Sequence, residues 1–335
     1  MFMNWISNDC HTKLAIVGIC KNAGKTTVLN SILKQHSYRW GVLSTGRDGE
    51  TKDVLFKTPK PRVVIPAQSI YCCDTDSLDA NGAKVTVLAK STVQIGGKAL
   101  WMVRAEQDLV TEITGPAHAE GQLQCAGQML DLGAQKVIID GSWDRKSIVL
   151  SGGIDSIILA VGASFGTIKD IEQELTRLLK LTEIDVYQPH EDKDQPTSTQ
   201  TDICVLNKGK WLTTGLHSLF GNETLFCECL DAKPDALYIP GAFSVSALTR
   251  LSKHIHGIKL IFRHPECIKL PALELERFLQ TNDVQCLIPF CIKSITINSQ
   301  GVGASAIDAD YLKQSLQGTF PKREFIDIME LSNNE

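Results

Sequence analysis

The residues best suited to chemistry are consecutive: Gly18-Ile19-Cys20-Lys21-Asn22-Ala23-Gly24-Lys25-Thr26-Thr27. Glycines let a backbone bend tightly and approach a ligand, so that successive N–H groups turn inward onto anionic oxygens. A helix beginning where such a turn ends adds the positive end of its dipole. After the second glycine, Lys25 would reach the β- and γ-phosphates of a nucleoside triphosphate, and the Thr26 hydroxyl would ligate Mg²⁺. The expected nucleotide-binding set is therefore Gly18, Lys21, Asn22, Ala23, Gly24, Lys25, Thr26 and Thr27, with Lys21 as a second phosphate contact. The bland alternative is a chance Gly-Lys-Thr in a strand–helix turn. The spacing departs from the common phosphate loop, in which four residues separate the glycines; here five separate Gly18 from Gly24.

A bound metal–triphosphate also needs carboxylates. Val137-Ile138-Ile139-Asp140 reads as a buried strand ending in an acid, so Asp140 is expected to hold the metal and to join Lys25 in catalysis. Polar groups follow in Gly141-Ser142-Trp143-Asp144-Arg145, past a strand end, where open α/β sheets carry ligands. Asp144 and Arg145 would position water and stabilise charge, or form a salt-bridged turn. Arg47-Asp48-Gly49-Glu50 follows the second strand. There Asp48 or Glu50 would contact the metal, directly or through water, or form a solvated acidic turn.

Other matches are weaker. Leu206-Asn207-Lys208-Gly209 begins like a guanine-reading motif, but Lys210 stands where the carboxylate is needed. A hairpin turn is expected there, and GTP specificity is not. Asn298 ends another strand and would touch a base or ribose, or simply form a turn. The histidines are dispersed, and neither Cys72-Cys73 nor Cys227-Glu228-Cys229 has the second pair that a zinc site requires.

The elements that must position these groups alternate apolar runs with amphipathic ones, the pattern of an α/β fold. Strands are expected at 14–17, 41–44, 137–140 and 156–161, with helices at 24–35, 117–132 (ending at Gly133) and 168–181. Between 62 and 114 the helical periodicity fades, predicting a strand-rich insertion or an extension of the sheet. The polar stretch 188–201 reads as a linker or loop. Residues 1–187 are thus expected to form a nucleotide-binding domain, and 202–335 an α/β C-terminal domain or a continuation of the sheet.

Composition narrows the class. The chain has 335 residues, 43% hydrophobic and 21% charged, with net charge −4. That balance predicts a folded protein with no nucleic-acid partner. No apolar run is long enough to span a bilayer, and residues 1–10 do not read as a secretory signal. The 11 cysteines are expected to be reduced, placing the protein in the cytoplasm.

In this order the motifs resemble a known family. The run Lys21-Asn22-Ala23-Gly24-Lys25-Thr26-Thr27-Val28-Leu29-Asn30 looks like the loop of the P-loop ATPase subunit of the lysine 5,6-aminomutase reactivase. Also similar are Asp48-Gly49-Glu50, Gly115-Pro116, Ile139-Asp140-Gly141 with Asp144-Arg145-Lys146-Ser147, Leu159-Ala160-Val161-Gly162-Ala163, Pro240-Gly241-Ala242 and Thr296-Ile297-Asn298. The chain departs from the family around Tyr71-Cys72-Cys73, and in Asn298-Ser299-Gln300 where a proline-containing loop would be expected. More broadly, the longer loop is similar to that of dethiobiotin synthetase. The resemblance implies a P-loop NTPase fold with a mostly parallel sheet flanked by helices. It implies ATP and Mg²⁺ as ligands, a MutS-like ATPase partner, and the reactivation of a cobalamin-dependent aminomutase of lysine fermentation. An ATP-dependent ligase or kinase, and a non-catalytic nucleotide-binding module, remain alternatives; homo-oligomerisation is open.

Overall fold

Apolar runs rich in β-branched residues extend and bury both faces, and the amphipathic runs between them coil over the sheet they form. A computed structural model of the chain has this alternation. The structure describes residues 3–8, 10–35, 38–48, 62–95, 97–142, 148, 151–188, 195–230, 232–300 and 306–332. Two compact units result, one of Met1–Ile171 with Ile292–Glu335 and one of Glu172–Cys291.

The chain begins with β1 (Lys13–Gly18), α1 (Lys25–Gln35), β2 (Trp40–Ser44), β3 (Gly46–Asp48), β4 (Val63–Ile65) and β5 (Ile70–Asp74). It continues with α2 (Thr75–Asn81), β6 (Val85–Ile95), β7 (Lys98–Ala105), β8 (Leu109–Thr111), β9 (Ile113–Gly115), α3 (Ala119–Asp131), β10 (Lys136–Ser142), β11 (Ser156–Gly162) and α4 (Ile168–Leu181). The second unit holds β12 (Asp185–Val186), β13 (Cys204–Asn207), β14 (Lys210–Thr213), α5 (Glu223–Leu230), β15 (Ala236–Ile239) and β16 (Phe243–Ser244). Its remaining elements are α6 (Val245–Leu251), β17 (Lys259–Phe262), β18 (Ile268–Lys269), α7 (Ala272–Thr281) and β19 (Val284–Cys286). The chain then returns to the first unit as β20 (Ile292–Asn298), α8 (Ala309–Thr319), β21 (Phe325–Asp327) and α9 (Ile328–Ser332).

The first unit is built on a nine-stranded sheet of order β21-β20-β11-β1-β10-β2-β5-β7-β6. Neighbours run parallel from β21 to β5, and β7 and β6 are antiparallel. The protein is therefore α/β, with a large mostly parallel sheet and flanking helices. Leu14 and Ile16 of β1 pack with Val28, Leu29, Ile32 and Leu33 of α1 in one buried cluster. Each such side chain contributes roughly 1.5–3 kcal/mol.

Of the strand-rich stretch, β5, β7 and β6 extend the sheet, while β4–β8 and β3–β9 form separate two-stranded ladders. Two elements here are absent from the sequence expectations. Ile70-Tyr71-Cys72-Cys73-Asp74 is buried throughout, its cysteines packing as small apolar groups. Helix α2 starts because the Asp74 carboxylate accepts the Ser77 N–H.

The second unit carries a six-stranded sheet, β12-β19-β17-β15-β13-β14. Its hairpin β13–β14 turns at Lys208 (φ 50) and Gly209 (φ 76), with Asn207 opposite Lys210. Two positive φ values make a type I′ turn, so Asn207-Lys208-Gly209 is turn chemistry and reads no base. The stretch expected as a linker also belongs to this unit: the Tyr238 hydroxyl donates to the carbonyls of Thr197 and Gln200. Residues 189–194 lie outside the described residues. The division does not follow the expected 187/202 boundaries, because 292–298 is an apolar strand that pairs with β11 in the first sheet.

Gly115 packs so closely that an added Cβ would lie 1.8 Å from the Ser44 carbonyl oxygen, whereas a Cβ at Gly127 in α3 meets open space. Gly115→Ala should cost about 3 kcal/mol or more by overpacking, and Gly127→Ala should stabilise by about 1 kcal/mol through helix propensity. Denaturant midpoints of the two variants check the contrast.

His264 in the second unit is fully buried, and its Nδ1 accepts the Glu266 N–H at 3.0 Å. Burial pushes its pKa down from 6.5 to about 3. The unfolded chain takes up this proton near pH 6.5, while the folded chain refuses it until about pH 3. The contribution is thus complete above that window and is lost as pH falls through it. Stability measured across the window should decline in the wild type, and His264→Gln should flatten the slope.

Candidate functional site

Strand β1 lies between β10 and β11. From β1 the chain passes through α1 to β2 on the β10 side, whereas β11 has β20 as its outer neighbour. The order thus reverses between β1 and β11, and the crevice outside their carboxyl ends is where open α/β sheets bind ligands. The chain leaves β1 into that crevice at Gly18.

Residues 18–24 are held in place by distant parts of the fold. The Ile19 N–H donates to the Ala160 carbonyl at 2.9 Å. Asn22 takes a left-handed conformation (φ 58), and its carbonyl accepts from Asn298 Nδ2 at 2.8 Å. Asn298 Oδ1 accepts the Gln300 N–H at 3.0 Å, so this side chain braces two turns at once. Gly24 has φ +88, and a Cβ there would lie 2.5 Å from Ile328 Cδ1. The positive φ is what requires glycine. On the other flank, Gly162 approaches until a Cβ would lie 2.9 Å from Ala23 Cα. The Cys20 thiol donates to the Gly162 carbonyl. Burial raises its pKa against the pull of that bond and of Lys25, which keeps it a thiol.

Held this way, the segment offers donors. Among the described residues, the N–H groups of Gly24, Lys25 and Thr26 meet no hydrogen-bond acceptor. The half-buried Lys25 ammonium likewise makes no ion pair among them. Lys21 is exposed, and Thr26 and Thr27 are half-buried in the first turn of α1. Asp140 is 2% exposed on β10, level with Ile16 of β1 and Ser44 of β2. A threonine hydroxyl and a carboxylate are hard oxygen donors, the set that suits Mg²⁺.

The structure thus brings Gly18, Lys21, Asn22, Ala23, Gly24, Lys25, Thr26 and Thr27 to one sheet edge; Asp140 does not end its strand as expected but lies two residues below that edge, since β10 runs on to Ser142 opposite Gly18. The backbone of Asp48 pairs with Ile113 in the β3–β9 ladder; its side chain lies outside the described residues. So do Glu50, Asp144 and Arg145. Of the two expectations for Asn298, the turn is the one present: its Oδ1 accepts the Gln300 N–H, and its Nδ2 donates to the Asn22 carbonyl. Ile328 was not foreseen, and a lone isoleucine near the end of the chain carries no local signal.

Beyond Gly162 a cavity of about 570 Å³ opens, lined by Ala163, Ser164, Thr167, Asp170, Ile307 and Tyr311 among others. Its rim is stiffened where the Thr167 N–H and hydroxyl both donate to the Asp170 carboxylate, at 2.8 and 2.6 Å. The cavity is wide open to solvent, a surface groove and not an enclosed pocket.

No protein-family model, no curated protein and no solved structure matches this chain. None of the 11 cysteines forms a disulfide. Among the described residues, no cluster of three or more His, Cys, Asp or Glu side chains could by itself hold a metal, and no helix is long and apolar enough to cross a membrane.

Removing the Asn298 amide should loosen residues 20–24. One net hydrogen bond is about 1 kcal/mol, so limited proteolysis within that segment should accelerate roughly fivefold to tenfold in Asn298→Ala. Cleavage in the second unit should not change.

Proposed function

We propose that the chain is an ATPase that binds ATP with Mg²⁺ on residues 18–27. We further propose that it acts as a reactivation factor for a cobalamin-dependent lysine 5,6-aminomutase, together with a MutS-like ATPase partner. The observation that carries the nucleotide reading is the externally braced turn. It ends in N–H groups without acceptors and a lysine without an ion pair among the described residues, beside a strand bearing buried Asp140. A P-loop in a longer form would present such a turn. The reactivase role rests on the sequence resemblance and on the order of its motifs.

In this reading, the N–H groups of Gly24, Lys25 and Thr26 receive the phosphate oxygens, and Lys25 neutralises charge between the β- and γ-phosphates. Bound Mg²⁺ supplies Lewis-acid polarisation of the phosphates. Thr26 and Asp140 hold it, with Asp48 or Glu50 as the second acidic contact. Asp144 and Arg145 serve water and transition-state charge. The nucleoside extends past Gly162 into the cavity beside Ile307. Hydrolysis biases a clamp between two states, and the mutase opens to release its spent cofactor. The protein works in the cytoplasm, where the aminomutase would be found.

The test is ATP binding and phosphate release by the purified chain, alone and with the aminomutase and MutS-like subunits. Slow basal turnover that rises with the partners supports the reading. Rapid ADP formation dependent on a small molecule alone points to a ligase, and binding without phosphate release points to a non-catalytic module. Lys25→Ala should abolish binding or turnover, and normal behaviour of that variant would falsify the site. Asp140→Asn should lower Mg²⁺-dependent turnover more than metal-free binding.

A further inference from the structure

On the β10 side of β1, one buried side chain joins three segments of the site and has no role above. Gln122 lies in the first turn of α3 and is fully buried. Its Nε2 donates to the Pro116 carbonyl at 2.7 Å and to Thr45 Oγ1 at 3.0 Å. A carbonyl can only accept, so the amide nitrogen must face Pro116 and the orientation of the side chain is fixed. These two partners close one end of the β3–β9 ladder. Gly46 pairs with Gly115, Thr45 precedes the first and Pro116 follows the second.

The same end is welded to the metal-side strand. The Thr45 N–H donates to the Asp140 carbonyl at 2.9 Å. Gly115 sits against the Ser44 carbonyl with no space for a Cβ. One amide therefore ties the root of the strand that bears Asp48 to the end of β9 and, through Thr45, to the backbone of Asp140.

We propose that Gln122 is a positioning residue for the metal side of this site: it fixes the spacing between Asp140 and the strand bearing Asp48 without touching nucleotide or metal. The inference rests on the nucleotide reading given above. Residues 18–24 are braced from elsewhere, by Asn298, Ile328 and Gly162. Loss of the Gln122 bonds should therefore spare the phosphate loop and disturb only what depends on the metal.

Two variants test this. Gln122→Met keeps a similar volume and removes both donations, and Thr45→Val removes the hydroxyl acceptor with little change of shape. A fluorescent ATP analogue is titrated against each variant in EDTA and in Mg²⁺, with far-UV circular dichroism as the check on folding. In both variants metal-free affinity should stay within about twofold of wild type, while the tightening by Mg²⁺ shrinks about tenfold, the scale of one to two hydrogen bonds. Equal losses with and without metal, in either folded variant, assign Gln122 a structural role only and overturn the proposal. An undiminished Mg²⁺ effect in both variants also overturns it. If the wild type itself binds no nucleotide under either condition, the nucleotide reading falls and this inference falls with it.

Discussion

Peptide N–H groups that meet no acceptor must be held so by something else, because a free chain would fold back to satisfy them. The whole first unit can be read from that constraint. Residues 18–24 include a left-handed Asn22 and a Gly24 with positive φ, conformations a loose loop would abandon. Three outside contacts prevent it. Asn298 takes the Asn22 carbonyl, Ile328 fills the space under Gly24, and Gly162 lies on Ala23. Each is packing or a single hydrogen bond, and none is large alone. Their effect is to fix the direction of the donors within the chain itself.

The two flanks of β1 are braced independently. On the β11 side the supports come from β11, β20 and α9. On the β10 side, Thr45 bonds to the Asp140 carbonyl and Gly115 rests on Ser44. A parallel sheet makes this possible, since every strand from β21 to β5 points its carboxyl end the same way. Groups far apart in sequence thus arrive at one edge without a long loop to carry them.

What the sequence disclosed follows from the range of each interaction. The turn at Gly18, the helix from Lys25 and the strand carrying Asp140 are local patterns with their own periodicity, and they were legible, although β10 runs on to Ser142. So was the hairpin at Asn207-Lys208-Gly209-Lys210, because a type I′ turn needs particular residues. Strand β5 was hidden because Ile70-Tyr71-Cys72-Cys73-Asp74 is buried on both faces and shows no apolar–polar alternation. Asn298 was legible as a strand-end residue but not as the brace of Asn22, and Gln122 was just another polar residue of a helix. Both act across long sequence separations, 276 residues for Asn298 to Asn22 and 77 for Gln122 to Thr45. No local pattern encodes such a pair.

That long range has a consequence for assembly. Strand β20 and helix α9 follow the whole of the second unit in sequence, yet they complete the first. Trp5 Nε1 bonds to Ser294 Oγ at 2.7 Å, so the start of the chain is also tied to the returning strand. Closing a flexible segment costs more entropy as it lengthens, but only logarithmically. If the intervening stretch has already folded, the free length to be closed shortens further. The brace on Asn22 can form only after β20 has joined β11. Topology therefore divides the supports of residues 18–24: β1, α1 and β10 come from the first part of the chain, but the hydrogen bond on the Asn22 carbonyl comes from a strand that follows the whole second unit.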